Sequence, residues 1–423
     1  MVPKTRSDNN NTNTNDNFST SEEMNTGSSY YLNDDAREQL PRYQYKGSDN
    51  SLMYKYLLSP LAKFCVDNLT PVYLAPNAIT LFGLSFMISS YLIFWYYVPT
   101  LEIDEDDPPP RWIFLFNCLS MLIYQTLDNM DGKQAVKTGN ATPLGLLFDH
   151  GCDAINSVIG SANWIIAMGL VPTDELLWCY AVTMGPFCMF YIATWEEYYT
   201  GELVLPIVNG PNEGLFGGAM LSLTTYFCGY EYWQSTSWFE ALSQVLPNIL
   251  PTTMSLRNSD LVLMAASMGF CQEIIIKSTT VIKRYGAQCL ATLMPLGVLT
   301  MGYLVIGWNQ PDIFLRLPRV SMNLAMVLFV EMCTHVMLSH ITHQTYNPWR
   351  WQLLPLIVFA ILVGATDMVK AGTFTDQFLL AYSWGMGAYL CMKVTLVIHE
   401  ISNLLNIWCF DIVTPRGRSV KQD

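Results

Sequence analysis

Ten apolar runs, separated by short polar connections, follow one another along most of the chain. They cover residues 78–98, 112–127, 143–170, 173–194, 214–230, 259–276, 286–308, 319–342, 352–368 and 377–399. Within these runs apolar residues do not alternate with polar ones, as they would in the strands of a membrane barrel. Because only helices and closed barrels pair all their backbone groups in lipid, the pattern predicts an all-α, polytopic integral membrane bundle of about ten transmembrane helices.

Both ends of the chain are polar, and the basic residues orient it. Residues 1–47 are rich in Asn, Ser, Thr and Asp, which predicts a disordered tail, and residues 413–423 form a second tail. Ten spans put both tails on one side. With that side in the cytosol, sixteen of the 22 basic residues are cytosolic, Lys393 lies in a span, and five lie opposite: Arg111, Arg257, Arg316, Arg319 and Lys370. This bias predicts cytosolic tails.

A shorter amphipathic stretch precedes the first apolar run. Residues 48–75 carry apolar side chains at roughly helical spacing, such as Leu57, Leu61 and Phe64, interrupted by charges such as Lys63. The stretch is too short and too charged to span a bilayer. It predicts a helix that lies in the membrane interface, although a helix packed on the bundle would have the same pattern.

The composition excludes several classes of protein. Hydrophobic residues make up 51% of the 423 residues and charged residues 13%, about half the charged share of a soluble domain. The net charge of −13 argues against a nucleic-acid partner. Eleven Cys residues without a CxxC pair give no disulfide framework or zinc cage. His335, His340 and His343 do not share one helix face, so we expect histidines at the membrane interface rather than a zinc site.

Four aspartates stand out because ionisable groups in membrane segments are costly. Asp128 and Asp131 are spaced i,i+3 at the end of the second run, and Asp149 and Asp153 are spaced i,i+4 near the start of the third. A connection of about a dozen residues makes the two helices antiparallel neighbours, so two carboxylate faces confront each other. Four carboxylates repel unless cations lie between them, which predicts two divalent ions, Mg²⁺ or Mn²⁺, of the kind that bridge phosphates.

The order of these residues resembles a family signature. Asp128, Asp131-Gly132, Ala135, Gly145, Asp149 and Asp153 match the pattern D-x2-D-G-x2-A-R-x8-G-x3-D-x3-D of the CDP-alcohol phosphotransferases. Phe148-Asp149-His150-Gly151-Cys152-Asp153, Thr194-Trp195-Glu196-Glu197-Tyr198 and Gly210-Pro211-Asn212-Glu213-Gly214 are similar to the eukaryotic choline and ethanolamine phosphotransferase type. The resemblance implies a catalytic core over residues 76–230, and C-terminal helices over 231–412 that serve a lipid site or dimerisation.

The resemblance also implies a reaction and its residues. A diacylglycerol hydroxyl attacks a CDP-ethanolamine or CDP-choline, and CMP leaves. Two Mg²⁺ ions are held by Asp128, Asp131, Asp149 and Asp153. His150 is the expected base, and Asp153 is the alternative. Substrate binding is expected at these residues: Asn77, Thr80, Gly132, Lys133, Ala135, Lys137, Gly145, Glu197 and Glu213. The family further implies a homodimer among membrane lipids in the endoplasmic reticulum or Golgi, with the active site facing the cytosol.

Two departures from the family pattern lie inside the motif. Val136 stands where the signature has Arg, with Lys137 next to it, and Leu146 stands where a Glu is common. The first change removes a phosphate donor, and the second removes a carboxylate one turn before His150. They motivate a second hypothesis, a catalytically impaired relative that acts as a binding or regulatory membrane protein. The length of the chain disfavours phosphatidylinositol synthesis, and the position of the aspartates at a helix end disfavours cation transport.

Overall fold

The computed structural model describes residues 30–245, 255–366 and 369–416. Fifteen α-helices lie in these ranges: α1 Asp34–Gln39, α2 Ser59–Asn68, α3 Pro76–Tyr97, α4 Trp112–Thr138, α5 Pro143–Ala167, α6 Leu176–Thr200, α7 Leu215–Cys228, α8 Glu231–Gln234, α9 Ser237–Val245, α10 Asn258–Tyr285, α11 Met294–Asn309, α12 Asp312–Leu315, α13 Pro318–Ile341, α14 Leu354–Ala365 and α15 Thr373–Leu405. Short 3₁₀ or π turns cover Leu40–Arg42, Tyr54–Leu58, Gly210–Gly214, Ala287–Leu293 and Trp351–Leu353. Two short strands, β1 Gly47–Asp49 and β2 Leu203–Leu205, pair in parallel, Gly47 opposite Leu203.

The all-α, multi-pass prediction is confirmed. Each of the ten apolar runs falls on a helix, and within the described ranges six stretches are long and apolar enough to cross a membrane: Pro76–Tyr97, Leu176–Thr200, Asn258–Tyr285, Ala287–Asn309, Pro318–Ile341 and Thr373–Leu405. The second run was predicted to end at residue 127, but α4 continues to Thr138. Asp128 and Asp131 therefore lie within one continuous helix. The number of ten spans stays a prediction.

The N-terminal tail has defined structure further upstream than predicted. The backbone N–H groups of Tyr30, Tyr31 and Leu32 donate to the Glu400 carboxylate on α15, at 2.8 to 3.3 Å. Leu32, Ala36 and Leu40 are buried in a cluster with side chains of α13 and α15. Residues 30–47 of the segment 1–47, which was expected to be disordered, thus have defined structure, because three buried apolar side chains and the Glu400 carboxylate hold them against the bundle. The first 29 residues of that segment lie outside the described ranges, as do residues 417–423 of the C-terminal tail.

The amphipathic stretch forms the turn 54–58 and helix α2, and it packs on α4. Ala62 and Val66 are buried against the bundle, whereas Leu61 and Phe64 are exposed on the opposite side. The helix thus has one apolar face toward the protein and a second toward its surroundings. The structure thus shows the helix packed on the bundle, one of the two alternatives that the sequence left open. Its location in the membrane interface stays a prediction.

A buried polar network joins four helices of the N-terminal half. Ser90 on α3 donates to Asn117 Oδ1 on α4 at 2.8 Å, and Asn163 on α5 donates to the same oxygen at 2.8 Å. The Asn117 amide then donates to Ser222 on α7 at 2.8 Å. Without water in the bilayer core, such groups are satisfied only by one another, so the network fixes the register of these helices.

The C-terminal half contains a buried charge cluster that explains how the charge of Lys393 is accommodated inside a predicted span. Its ammonium on α15 contacts Glu331 on α13 at 2.8 Å, and Arg350 and Gln352 contact the same carboxylate. Glu331 and Lys393 are 1% and 2% exposed, so each charge requires the other. The pair joins α13 to α15, and α13 in turn packs on α5 and α6, which carry part of the site described next.

Replacing Ser90 by Ala is expected to lower the free energy of unfolding by about 1 kcal/mol, because it removes a hydroxyl that bonds Asn117 and Asn163 inside the bundle. Unfolding by SDS titration in mixed micelles measures this. The neighbouring Ser89 is exposed and bonds only the Ser85 carbonyl of its own helix, so Ser89→Ala serves as the control. Equal stability of the two variants would contradict the role given to the network.

Candidate active site

A tight helix–turn–helix brings the two carboxylate pairs together. α4 ends at Thr138 and is followed by Gly139 as its C-cap, whose positive φ of 68° suits glycine, and α5 begins at Pro143 with Thr142 as its N-cap. The Thr142 hydroxyl accepts from the Gly145 N–H at 3.1 Å. The connection has only four residues rather than the dozen expected. The predicted antiparallel helices, α4 and α5, are therefore joined by a turn shorter than expected.

Three of the four aspartates form one compact group. One carboxylate oxygen each from Asp128, Asp131 and Asp149 lies within 4.8 Å of the others. Asp153 is not a member of this group, although it follows Asp149 by one helical turn; the Tyr124 hydroxyl donates to its Oδ1 at 2.6 Å. Asp131 is likewise fixed by a hydrogen bond from the Thr80 hydroxyl. Two of the four carboxylates thus have a dedicated hydroxyl donor from a neighbouring residue.

The donor set fits a divalent cation. Asp128 Oδ1 and Asp149 Oδ1 are buried and have no hydrogen-bond partner among the described residues. Burying a carboxylate oxygen without a hydrogen-bond donor costs free energy. A cation between two such oxygens offsets both the lost hydration and the repulsion between the carboxylates. All-oxygen ligands favour Mg²⁺ and related hard cations. Asp128, Asp131 and Asp149 are therefore the residues that could hold a metal ion.

Two glutamines on α4 fix the surroundings of this group. The Gln125 amide donates to the carbonyls of Pro211 and Asn212, at 3.0 and 2.8 Å. About two and a half turns further on, the Gln134 amide donates to the carbonyls of Pro71 and Leu74. The two side chains tie the loops on either side of the site to the helix that carries Asp128 and Asp131.

The aspartates line one wall of a cavity of about 1050 Å³. Its polar lining residues include the four aspartates, His150, Asn77 and Lys133. Its apolar lining residues include Trp164, Met189, Phe190, Leu215 and Phe270. Since a large cavity with a few convergent polar groups is typical of a ligand site, this one suits a ligand that has both a charged and an apolar portion.

His150 faces a buried carboxylate that the sequence did not pair with it. Glu197 on α6 is 1% exposed; its Oε2 lies 3.5 Å from His150 Nε2, and its Oε1 lies 3.6 Å from His340 Nε2 on α13. The Tyr43 hydroxyl lies 3.0 Å from the same nitrogen of His340. Burial raises the pKa of Tyr43, and the nearby Glu197 adds to the effect.

Several predicted substrate residues line the cavity. The Asn77 amide donates to the Cys409 carbonyl at 2.9 Å, and a Cβ on Gly145 would lie 3.5 Å from the Asn77 Oδ1. Lys133 Nζ donates to Ser59 Oγ at 2.9 Å. Gly132 and Ala135 lie in the cavity wall, and no atom stands within 4 Å of where a Gly132 Cβ would be. These five residues are near the aspartates, as the resemblance implied, whereas Thr80 acts on Asp131 from outside the cavity wall.

Three other predicted substrate residues are not among those that line the cavity. Glu213 accepts from the Ser51 hydroxyl at 2.5 Å and from the Asn209 N–H at 3.1 Å, so both its oxygens hold loops together. Lys137 donates to the Val66 carbonyl at 2.5 Å at the end of α2. Glu197, which follows the predicted run 173–194, is buried in α6 between the two histidines. Local sequence shows a charge, but not which carbonyl or helix it will contact.

The two departures from the signature have different surroundings. Val136 is 76% exposed at the cavity rim, where a longer side chain would have room. Leu146 is partly buried against an apolar cluster. The carboxylate that is missing at Leu146 has a counterpart in Glu197, which reaches His150 from another helix. Lys137 does not compensate for Val136, because its ammonium is bonded to α2.

The sequence did not predict that residues near both described ends of the chain line the cavity, or that His150 and His340 both lie beside Glu197. Tyr43, Tyr45 and Asp49 reach the cavity from the N-terminal side, and Trp408 and Arg416 reach it from the C-terminal side. The Arg416 guanidinium stacks on the Trp408 ring at 4.5 Å. His340 was expected at the membrane interface but is buried beside Glu197, because α13 packs against α5 and α6. Aromatic residues in otherwise polar tails were the available signal.

Comparison with known proteins decides the family. The model of the CDP-alcohol phosphatidyltransferase family matches residues 73–205. Choline/ethanolaminephosphotransferase 1 of Arabidopsis thaliana is 32% identical over 393 residues, which are 88% of this chain and 96% of that protein. The chain belongs to this family. Choline/ethanolaminephosphotransferase 1 of Saccharomyces cerevisiae is 27% identical over 90% of the chain and 98% of its own length, and cholinephosphotransferase 1 of that yeast is 26% identical over 89% and 96%.

Membership confirms the resemblance drawn from the aspartate motif and makes the protein a membrane transferase of the CDP-alcohol phosphatidyltransferase family. The matched segment 73–205 contains all four aspartates, His150 and Glu197. It does not contain Tyr43 or the residues after 405 that line the cavity, nor His340, which lies behind Glu197. The cavity of this family member is therefore completed by parts of the chain outside the family segment.

Thr80→Val is expected to weaken divalent-cation binding by about 10- to 100-fold, because it removes the donor that orients the Asp131 carboxylate. Titration with Mn²⁺, followed by electron paramagnetic resonance of the free ion, measures the affinity without any substrate. Ser85→Ala, which removes an exposed hydroxyl from the same helix, is the control. An unchanged affinity of the Thr80 variant would contradict this role.

Proposed function

We propose that this protein transfers phosphoethanolamine or phosphocholine from a CDP-alcohol to diacylglycerol, making phosphatidylethanolamine or phosphatidylcholine and releasing CMP. The observation that carries the proposal is the pair of unpartnered, buried oxygens of Asp128 and Asp149 in the wall of a cavity that apolar side chains also line. The names of the Arabidopsis and yeast relatives support it. The hypothesis of an impaired relative is not favoured.

The polar part of the cavity would receive the CDP-alcohol. Asp128, Asp131 and Asp149 would hold Mg²⁺, and Asp153 would help with a second ion; Mn²⁺ is the alternative. When bound, the metal neutralises charge on the pyrophosphate and on the departing CMP. The Lys133 ammonium, in the same wall, adds positive charge near the phosphates.

The other substrate-binding assignments follow from the lining of the cavity. Gly132, Ala135 and Gly145 leave room for a ligand close to the backbone, and Asn77 contributes an amide to the nucleotide end. The apolar part, with Trp164 and Phe270, would take the acyl chains of diacylglycerol. The two substrates would then meet beside the aspartates. This arrangement explains why one cavity has both a charged and an apolar portion.

In the reaction, the oxygen of the diacylglycerol hydroxyl attacks the phosphorus that bears the head group. A new P–O bond forms, the P–O bond to CMP breaks, and CMP leaves with the electron pair. His150 accepts the hydroxyl proton, and the resulting imidazolium is stabilised by Glu197 at 3.5 Å. Asp153 is the weaker candidate for the base, because one of its oxygens already accepts the Tyr124 hydroxyl.

We further propose that the site faces the cytosol of an endoplasmic reticulum or Golgi membrane and that the protein is a homodimer. The orientation rests on the excess of Lys and Arg in the segments assigned to that side. The choice of the endoplasmic reticulum or Golgi membrane and the second copy of the chain are carried over from the family resemblance. The six long apolar helices fit a multi-pass protein in any of these membranes.

Purified protein in detergent is expected to release CMP from CDP-ethanolamine or CDP-choline when diacylglycerol and Mg²⁺ are present, and to stop when EDTA removes the metal. Asp149→Asn is expected to abolish release, because it removes a carboxylate from the metal group. Asp67→Asn, an exposed change on α2, should leave the rate unchanged. Comparing the two donors identifies the head group. Folded protein that is inactive with both would refute the proposal.

His150→Gln is expected to lower kcat by about 10²- to 10⁴-fold, the usual contribution of a general base, and to leave Mn²⁺ affinity close to that of the unmodified protein. Asp153→Asn should instead change both, if it helps to hold a second ion. Steady-state kinetics combined with the Mn²⁺ titration separates the two residues. A His150 variant with unreduced kcat would transfer the role of base to Asp153.

A further inference from the structure

Glu197 is almost fully buried beside the cavity, and it lies between two histidines. Its carboxylate is 1% exposed, and Oε1 and Oε2 face His340 and His150 at 3.6 and 3.5 Å. A buried carboxylate needs donors or cations. Neither oxygen has a hydrogen-bond partner among the described residues, so the two imidazoles face the carboxylate as electrostatic contacts at or just beyond hydrogen-bond distance. Because each oxygen has its own imidazole, rotation of the carboxylate would break both contacts.

His340 is itself fixed from two sides. It lies in the last turn of α13, where the negative end of the helix dipole favours an N–H or a positive charge. The Tyr43 hydroxyl is 3.0 Å from its Nε2, and the Tyr43 ring meets the imidazole edge-on, with centroids 5.4 Å apart. With its proton on Nε2, the imidazole donates to the phenol oxygen at 3.0 Å and turns the same N–H side toward the Glu197 carboxylate, 3.6 Å away and beyond hydrogen-bond distance.

Tyr43 owes its position to the anchored N-terminal segment. Leu40, three residues earlier, is buried against α5, α13 and α15, and the Tyr43 N–H donates to the Leu40 carbonyl at 3.2 Å. Further upstream, Glu400 accepts the N–H groups of Tyr30 to Leu32. The contact between Tyr43 and His340 therefore joins residues about 300 positions apart in the chain.

We propose that His340 is a positioning residue for the transfer reaction: it holds the Glu197 carboxylate so that Glu197 orients His150. The inference rests on the proposed function and deepens it, since it concerns the same site. His340 does not line the cavity that would hold the substrates. Its effect is transmitted by one carboxylate. The C-terminal half of the chain thereby takes part in catalysis through α13.

Kinetics of CMP release by His340 variants test this. His340→Ala is expected to lower kcat by about 10- to 100-fold, the usual cost of losing an indirect partner, with KM for the CDP-alcohol unchanged. His340→Gln should recover most of the loss, because its amide can donate to Glu197 from a similar position. His343→Gln, an exposed histidine three residues away, is the control and should keep the wild-type kcat.

A double-mutant cycle separates transmission through Glu197 from a general structural effect. In a Glu197→Gln background, His340→Ala should cause no further loss of kcat, because the carboxylate through which it acts is gone. An equal loss in both backgrounds, or a loss that His340→Gln does not recover, would overturn the inference. An active protein whose His340→Ala variant keeps the wild-type kcat overturns it alone. Absence of CMP release by the unmodified protein overturns the proposed function and this inference together.

Discussion

Electrostatic repulsion among four aspartates inside a membrane bundle is the constraint around which the rest of this structure is arranged. Carboxylates removed from water repel one another and lose hydration, so they persist only where donors or cations compensate. Here Tyr124 and Thr80 each donate to one of them, while Asp128 and Asp149 keep oxygens without partners among the described residues. The tight turn between α4 and α5, and the two glutamines of α4, hold this costly arrangement in place.

The same principle acts twice more, away from the aspartates. Glu331 is neutralised by Arg350 and Lys393, which joins α13 to α15, and Glu197 is contacted by His150 and His340, which joins α5 and α6 to α13. In a bilayer, apolar side chains do not distinguish one helix partner from another, because lipid is equally apolar. Buried polar pairs therefore carry much of the specificity with which the two halves of the chain assemble.

The departures from the family signature acquire a physical meaning in this setting. A carboxylate is missing at Leu146, yet His150 still faces one, supplied by Glu197 from a separate helix. The arginine missing at Val136 has no such counterpart in Lys137, whose ammonium closes the end of α2. In the proposed reaction, phosphate binding would therefore depend on Lys133 and on a metal held by the aspartates more than the family signature implies.

The sequence alone predicted the all-α membrane class, because backbone satisfaction in lipid leaves an apolar run few choices. It also predicted the carboxylate group. Asp128, Asp131 and Asp149 lie on two consecutive helices joined by a short turn, so helical spacing and nearness in the chain are enough to bring them together. It did not predict that Lys137 and Glu213 would be used to hold loops, or that His340 and Tyr43 would lie beside Glu197. Those contacts join residues far apart in the chain, and only the packing of α13 and of both chain ends decides them, because periodicity along one helix does not specify which other helix it will meet.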